Sequence, residues 1–456
     1  MSEQDTICAV STPPGAGGIG IIRISGRDAI AIASTVFKPR RNKKLGNGTT
    51  HSFVYGHVVD PASGEAVDEV LVSVMRAPAT YTREDVVEMN CHGGMMPLWR
   101  TMSLLLAAGA RQAEPGEFTK RAFLNGRIDL TQAEAVMDII QSKTELSHRA
   151  ATEQILGGLS KEIAELRDKM ISLIASVEAS IDFPEDDIET ETGKPLAEGV
   201  DSLITGVDRI LSSYAYGRIL RDGFATAIVG KPNVGKSSLL NALLKQNRAI
   251  VTEVPGTTRD VLEEYLNIAG VPLKILDTAG IRHSHDLVER EGVRRSIAAI
   301  ESADIVLVVF DGSQPLSAED QRVLDEVREK SAILIINKAD LPRKIEKIDL
   351  PENQVSLSCW TGEGLDNLKA MIADLVKQGV VNPREHAWAV NQRHKTALEQ
   401  TRESLQKALG SITSNLSPEF IAMDLRGAID SLGLIIGATY TEDILERIFS
   451  DFCIGK

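Results

Sequence analysis

A phosphate-binding loop stands near the middle of the chain, at Gly230-Lys231-Pro232-Asn233-Val234-Gly235-Lys236-Ser237-Ser238. Its spacing lets backbone N–H groups surround phosphate oxygens, with the N-terminus of the next helix facing the same charge. We expect Lys236 to reach the β- and γ-phosphates and the Ser237 hydroxyl to bind Mg²⁺. A glycine-rich turn without a ligand is the alternative. The flanks favour the phosphate loop, because residues 224–229 predict a buried strand and residues 239–244 an apolar helix face.

Three more motifs follow, each at the end of a predicted strand. Asp277-Thr278-Ala279-Gly280 follows a strand at 274–276, where a nucleotide switch protein places an Asp near Mg²⁺ and a glycine near the γ-phosphate. Asn337-Lys338-Ala339-Asp340 follows the strand at 332–336, and Ser358-Cys359 completes the purine loop. The Asp340 carboxylate can accept both N1–H and the 2-amino group of guanine, whereas adenine would leave it unpaired at a cost of roughly 1–3 kcal/mol. Together the four motifs resemble those of a GTPase and predict GTP as the nucleotide.

Two features separate this predicted GTPase from the Ras-like type. Ile281 stands where Ras has a water-orienting Gln, so another group must position the attacking water. Asn233, together with Pro255-Gly256-Thr257-Thr258-Arg259-Asp260, forms the pattern of GTPases that potassium and dimerisation activate. We therefore expect a K⁺ ion bound by the Asn233 side-chain oxygen, supplying the positive charge that an arginine finger supplies elsewhere.

The bulk composition limits the class of protein. The chain has 456 residues, 43% hydrophobic and 25% charged, which suits about three globular domains. A net charge of −14 argues against a free-standing, non-specific nucleic-acid binder, although a local basic surface or a partner could hold RNA. Four scattered cysteines without Cys-x-x-Cys spacing argue against a disulfide framework or structural zinc site. Without a signal-peptide core or a bilayer-length apolar run, the prediction is a cytoplasmic protein with no membrane partner.

The elements that must position these motifs change in type along the chain. Strand-like segments at 19–25, 69–75 and 85–90 indicate a mixed N-terminal domain, and an amphipathic stripe between 163 and 181 indicates helices. We predict a multidomain α/β and α chain: an N-terminal α+β domain (1–120), a helical domain in two parts (121–218 and 381–456), and an inserted P-loop GTPase domain (219–380) with a mostly parallel sheet. Two separate helical domains would give the same pattern.

Both ends of the chain carry further landmarks. These are Gly56, Glu88, His92-Gly93-Gly94, the segment 115–125 and the terminal Phe452-Cys453-Ile454-Gly455-Lys456. With the GTPase core, they resemble over the whole chain the MnmE family, also called TrmE, of bacterial and organellar tRNA modification GTPases. The resemblance implies a homodimer formed through a folate-binding N-terminal domain, and a flavoprotein partner, MnmG. It also implies that the two proteins build an aminomethyl-type (carboxymethylaminomethyl) group on C5 of the wobble uridine of certain tRNAs, with a reduced folate (a tetrahydrofolate derivative) as one-carbon donor.

The resemblance also assigns residues to the GTP site. It implies Asn233, Thr252, Val254 and Thr257 as K⁺ ligands and Ser237 and Thr258 as Mg²⁺ ligands. It makes Glu289 a general base acting through a second water, whereas the sequence alone shows one carboxylate at an exposed helix start. The predicted GTP-binding residues are Asn233, Val234, Gly235, Lys236, Ser237, Ser238, Thr252, Glu253, Val254, Pro255, Gly256, Thr257, Thr258, Asp277, Thr278, Ala279, Gly280, Asn337, Lys338, Asp340, Ser358 and Cys359.

The folate site implied by the resemblance comprises Arg23, Glu88, Arg127 and Lys456. A lysine also occurs in the family at the position of Arg127, whose guanidinium keeps the charge but not the point ammonium. Cys453 matches a cysteine tied to modification activity and is predicted to be catalytic, the alternative being a small buried hydrophobe. Two other functions remain open: a regulatory or ribosome-assembly GTPase switch without tRNA-modifying chemistry, and a folate-dependent one-carbon enzyme with an accessory GTPase.

Overall fold

The computed structural model of the chain describes residues 5–40, 45–46, 49–182, 193–247, 264–276, 297–345, 353–378 and 389–456. Its strands are β1 (Ile7–Val10), β2 (Ile19–Ser25), β3 (Phe37–Pro39), β4 (Ser52–Val59), β5 (Ala66–Met75), β6 (Val86–His92), β7 (Arg111–Gln112), β8 (Phe224–Val229), β9 (Glu264–Ile268), β10 (Val271–Ile275), β11 (Ile305–Asp311), β12 (Ala332–Asn337) and β13 (Gln354–Ser356).

Its helices are α1 (Ala29–Val36), α2 (Met95–Ala107), α3 (Glu117–Leu124), α4 (Leu130–Gln141), α5 (Glu145–Ile155), α6 (Gly158–Asp182), α7 (Lys194–Ser212), α8 (Tyr214–Asp222), α9 (Lys236–Asn247), α10 (Ala318–Glu326), α11 (Leu365–Gln378), α12 (Gln392–Thr413), α13 (Pro418–Ile436) and α14 (Glu442–Ser450). Within the described residues, no helix combines the length and the apolar character needed to cross a membrane.

The described residues fall into two compact units. The first unit contains the segments Met1–Met137 and Ile436–Lys456, and the second contains the residues between them. The last residues of the chain thus pack with the N-terminal sheet, although the predicted division placed them with the second helical segment. The four domain boundaries themselves stay a prediction.

The first unit is built on a sheet whose strand order is β3-β4-β5-β6-β2-β1-β7. Its neighbours pair antiparallel except for β1 and β7, which run parallel. Helices α1 and α2 pack on the sheet, with Ile22, Ile24, Val72 and Val87 fully or almost fully buried in the core beneath them. The alternation of buried and exposed residues along β2 and β5 fits an antiparallel sheet with one covered face.

The second unit contains a mostly parallel sheet of order β13-β12-β11-β8-β10-β9, in which only the β9–β10 pair is antiparallel. Alternate residues of β11 enter two different cores. Ile305, Leu307 and Val309 pack in the core that includes residues of α9 and α11, while Val306, Val308 and Phe310 pack in the one that includes α10. This explains why the strand is apolar throughout, and it confirms the predicted P-loop domain with a mostly parallel sheet.

Helices from both sides of the nucleotide-binding sheet pack together in this unit. Helix α7, which precedes the sheet in the chain, lies against α12, which follows it, and α6 packs on α7. Arg426 of α13 contacts Glu178 of α6 with a nitrogen–oxygen distance of 2.5 Å. The helices before and after the sheet therefore form one helical region with the nucleotide domain inserted, as predicted, and not two separate helical domains.

Candidate functional site

The predicted phosphate loop connects β8 to α9 and passes close to two neighbouring strands. Gly230 has φ +145°, and a Cβ atom there would lie 2.4 Å from the carbonyl oxygen of Val309 on β11. Gly235 has φ +102°, and its Cβ would lie 2.2 Å from the amide nitrogen of Asn337 at the end of β12. Only glycine fits at these two positions, so the loop forms the tight backbone cradle that a phosphate group needs.

Lys236 lies at the first position of α9, with its ammonium group folded back on the loop. Its Nζ donates to the carbonyl oxygens of Gly230 at 2.6 Å and Lys231 at 2.9 Å. Burial lowers the pKa of Lys236, because its partners are neutral carbonyls and, among the residues that the structure describes, no carboxylate offsets the loss of water. A phosphate would offset it, so the site is electrostatically suited to an anion at this ammonium.

Asn233 stands at the exposed tip of the loop in the left-handed region, with φ +63°. Asparagine tolerates this conformation better than most non-glycine residues. The next residue, Val234, is fully buried and holds the loop from inside. Two oxygen atoms beside this cradle are of the type that binds hard cations. The amide oxygen of Asn233 suits K⁺, and the hydroxyl oxygen of Ser237 suits Mg²⁺.

The side chain of Asn337 joins three of the predicted GTP motifs. Its Nδ2 donates to the Val234 carbonyl of the phosphate loop at 2.8 Å, and its Oδ1 accepts from the Cys359 backbone N–H at 3.2 Å. Asn337 is only 3% exposed, so both bonds are shielded from water. One buried amide therefore sets the spacing between the phosphate loop and the purine loop.

Asp340, the predicted guanine-binding carboxylate, is held by the purine loop. The Ser358 hydroxyl donates to Asp340 Oδ1 at 2.5 Å and itself accepts from the backbone N–H groups of Trp360 and Thr361. Burial, reinforced by the Asp340 charge, raises the pKa of the Cys359 thiol to about 11. The thiol is therefore protonated, and Cys359 serves the site through its backbone.

A carboxylate that sequence reasoning missed supports Lys338. Asp311, at the end of β11, accepts from Lys338 Nζ at 2.6 Å and from the N–H and hydroxyl of Ser313 at 3.0 and 2.6 Å. Burial raises the pKa of Asp311, but the hydrogen bonds from Lys338 and Ser313 outweigh it and hold the pKa below its usual value. Lys338 itself has φ +65° and stands between Asn337 and Asp340, the predicted guanine-binding residue. One feature of the sequence could have identified Asp311: it directly follows the predicted strand at 305–310. The carboxyl ends of parallel strands lie along one edge of a sheet, where ligands bind.

The predicted folate residues come together in the first unit. Arg23 and Glu88 are direct partners across β2 and β6, with Arg23 Nε 2.8 Å from Glu88 Oε1. The Arg23 guanidinium lies 5.6 Å from the ring centre of Phe118, and that of Arg127 lies 4.7 Å from the ring centre of Tyr81. A planar guanidinium can stack flat on an aromatic ring, which a lysine ammonium cannot do. The contact with Tyr81 therefore gives the Arg127 side chain a defined position. Two aromatic faces beside charged side chains suit a pterin-type ring.

The end of the chain lies beside the same residues. The Lys456 backbone carbonyl accepts from the Phe118 N–H at 3.1 Å, and Ile454 forms a strand bridge with Pro115. Phe452 is buried, whereas Cys453 is exposed. The alternative that Cys453 is a buried hydrophobe is therefore wrong, and a catalytic role for its thiol stays a prediction.

A partly buried ion network anchors the segment at 115–125. Arg111 and Arg121 share Glu117, with nitrogen–oxygen distances of 2.6 and 2.9 Å, and each also contacts Asp5 at 2.6 Å. Burial raises the pKa of Glu117, but hydrogen bonds led by Arg111 outweigh it and keep the carboxylate ionised. This network holds α3, and with it Phe118, against the N-terminal strands.

Several predicted GTP-site residues lie outside the described residues. They are Thr252, Glu253, Val254, Pro255, Gly256, Thr257, Thr258, Asp277, Thr278, Ala279, Gly280 and Glu289. Their roles stay predictions. The structure brings together the remaining ones at one edge of the second unit's sheet, namely the phosphate loop, Asn337 to Asp340, and Ser358 with Cys359.

Comparison with known proteins covers nearly the whole chain. The family model described as "GTP-binding protein TrmE N-terminus" matches residues 6–127, and the one described as "MnmE helical domain" matches residues 130–453. Three relatives carry the name "tRNA modification GTPase MnmE", each 48% identical to this chain. The protein from Thermoanaerobacter pseudethanolicus aligns over 99% of both chains, that from Geobacillus kaustophilus over 100% of both, and that from Ligilactobacillus salivarius over 100% of this chain and 99% of its own.

Proposed function

The chain belongs to the MnmE family of tRNA modification GTPases, and from this premise we propose that it is a potassium-activated GTPase that modifies the wobble uridine. The prediction of a GTPase in tRNA modification is confirmed by the same relationship. The proposed product is a carboxymethylaminomethyl group on C5 of that uridine in certain tRNAs. The proposed partner is the flavoprotein MnmG, and a tetrahydrofolate derivative is the proposed one-carbon donor.

The observation that carries this proposal is that the similarity extends beyond the nucleotide-binding part. The first unit aligns with the same relatives and contains the Arg23–Glu88 pair beside Tyr81 and Phe118. A regulatory or ribosome-assembly switch, which is the second candidate function, has no use for an aromatic and charged ligand site of this kind. A folate-dependent enzyme with an accessory GTPase would use the site but would not need a complete set of GTP motifs.

In the proposed hydrolysis each residue of the GTP site has a distinct task. Lys236 moves from the loop carbonyls to the β- and γ-phosphates, a change favoured because those carbonyls carry no charge. Ser237 and Thr258 would hold Mg²⁺, and Asn233 with the loop residues Thr252, Val254 and Thr257 would hold K⁺. When bound, the two cations neutralise the negative charge that develops on the phosphates. Glu289 would orient the attacking water through a second water molecule.

An open sheet face supports the proposed homodimer. Phe53 and Leu71 are 66% and 47% exposed, and strand register places them on the same face as Arg23 and Glu88. Large apolar side chains exposed together on one sheet face mark a surface for association. A second copy of the chain on this face would cover these side chains and close over the predicted folate residues.

The experiment that tests the proposal is mass spectrometry of tRNA digests from a strain that lacks this gene. We expect the carboxymethylaminomethyl group to disappear from wobble uridines and to return on complementation with the wild-type gene. Complementation with Arg23→Ala should not restore it, although GTP hydrolysis by the purified variant stays near normal. Unchanged wobble uridines in the deletion strain would favour the regulatory switch instead.

A further inference from the structure

An ion pair links the phosphate loop to the start of α10. The Lys231 ammonium lies 2.8 Å from Asp320 Oδ2 and 3.4 Å from the Ser317 hydroxyl. The same Asp320 oxygen accepts from the Ser317 N–H at 2.8 Å, and the Ser317 hydroxyl accepts from the Asp320 N–H at 3.4 Å, so the two residues form a capping box on α10. The Ser317 hydroxyl also lies 2.7 Å from that Asp320 oxygen. The Lys231 and Asp320 side chains are 15% and 3% exposed, so little solvent reaches the ion pair.

Stability alone does not account for this pair. Buried ion pairs often contribute no more to folding than well-packed apolar residues of similar size. Here the second carboxylate oxygen, Asp320 Oδ1, is buried and has no hydrogen-bond partner among the described residues. An unsatisfied buried oxygen destabilises the folded chain, so a function other than stability is needed to explain why the pair is present.

The position of Lys231 in the phosphate loop indicates what this other function is. Its backbone carbonyl accepts from Lys236 Nζ at 2.9 Å, so one residue contacts both the phosphate-binding lysine and Asp320. On the far side of the loop tip, the buried Val234 carbonyl accepts from Asn337. Asn233, in its left-handed conformation, therefore stands between two anchored residues, Lys231 and Val234. Once Lys236 leaves the Lys231 carbonyl for the phosphates, the contact of Lys231 with Asp320 still holds this side of the tip.

We infer that Lys231 and Asp320 form a positioning pair that fixes the outer half of the phosphate loop for nucleotide binding. The pair does not touch the phosphates through its side chains. It holds the backbone between Gly230 and Asn233 in the shape that the nucleotide requires. This inference rests on the GTP-binding part of the proposed function and is independent of tRNA, folate and potassium.

The test compares affinity with stability in a set of variants of the full chain. Affinity is measured with a fluorescent GDP analogue and stability by thermal unfolding. Lys231→Met leaves Asp320 as a buried unpaired charge and should lower both the GDP affinity and the unfolding temperature. Lys231→Met/Asp320→Asn removes both charges and keeps a side-chain oxygen for the Ser317 N–H of the capping box, so its unfolding temperature should return close to the wild-type value. Its GDP affinity should stay about tenfold or more below wild type, because a displaced loop weakens every phosphate contact.

Two further variants complete the design. Lys231→Arg keeps the charge and should bind GDP within about threefold of wild type. Arg328→Met/Asp325→Leu removes an exposed ion pair at the C-terminal end of α10, with side chains 71% and 59% exposed, and should change neither quantity. A double variant at Lys231 and Asp320 with wild-type affinity would overturn the inference alone. A wild-type chain that binds no guanine nucleotide would overturn the proposed function and the inference together.

Discussion

The Asp340→Asn variant is expected to lose about a hundredfold or more in affinity for GTP and to prefer xanthosine triphosphate. The predicted role of this carboxylate is to accept two hydrogen bonds from guanine, at N1–H and the 2-amino group. An asparagine amide would face the 2-amino group with its own N–H donors, and it can donate to the oxygen that replaces this group in xanthine. The new amide oxygen can still accept from the Ser358 hydroxyl, which contacts Asp340 Oδ1 at 2.5 Å, so the purine loop should keep its shape.

Competition binding with GTP and xanthosine triphosphate measures this change directly. Glu363→Gln, at an exposed position in the same loop, is the matched control and should leave the preference for GTP unchanged. Asp340→Ala should bind both nucleotides weakly, because it can neither accept nor donate. An Asp340→Asn variant that still prefers GTP would show that the base is recognised elsewhere.

The Glu289→Ala variant is expected to lose roughly 10²–10⁴-fold in hydrolysis rate while it keeps near-normal affinity for GTP. Ile281 has no polar atom with which to orient water, so a separate carboxylate is needed for that step. Glu289 follows the Asp277 motif in the chain, in the segment that orders around the γ-phosphate in switch GTPases. The expected loss therefore falls on the chemical step and not on nucleotide binding.

Single-turnover hydrolysis and nucleotide affinity, measured on one preparation, separate these two effects. Glu291→Ala changes the same residue type two positions later and should hydrolyse GTP at the wild-type rate. A decrease of less than tenfold for Glu289→Ala, with affinity unchanged, would contradict its role as general base. If hydrolysis drives the modification cycle, the variant should also fail to restore modified wobble uridines.

Local sequence patterns were enough to predict the nucleotide-binding half of the fold. The apolar runs at 305–310 and 332–336 belong to strands covered on both faces, a burial pattern that leaves a clear signal in the sequence. The Gly-Lys-Ser spacing fixed the position of the phosphate loop because the chemistry itself demands those residue types. Strand register then places Asn337 and Asp311 directly opposite each other.

Contacts between distant residues were not predictable in this way. Lys231 and Asp320 are 89 positions apart in the chain, and the Ser11 hydroxyl contacts the Gly455 carbonyl across 444 positions. No local propensity encodes such pairs, which depend on how strands and helices are ordered in space. The family resemblance placed Lys456 with Arg23 and Glu88, but the contacts that hold the chain end beside the N-terminal strands became visible only in the folded structure.

The measurement that tests the account most directly is GTP hydrolysis by the full chain in KCl and in NaCl at equal ionic strength, with wild type and Asn233→Ala side by side. The account predicts that wild type hydrolyses GTP far faster in K⁺ than in Na⁺, because Asn233, at the exposed loop tip with φ +63°, is proposed to bind the larger ion. It also predicts that Asn233→Ala abolishes the difference between the two salts. Equal wild-type rates in KCl and NaCl would contradict the account.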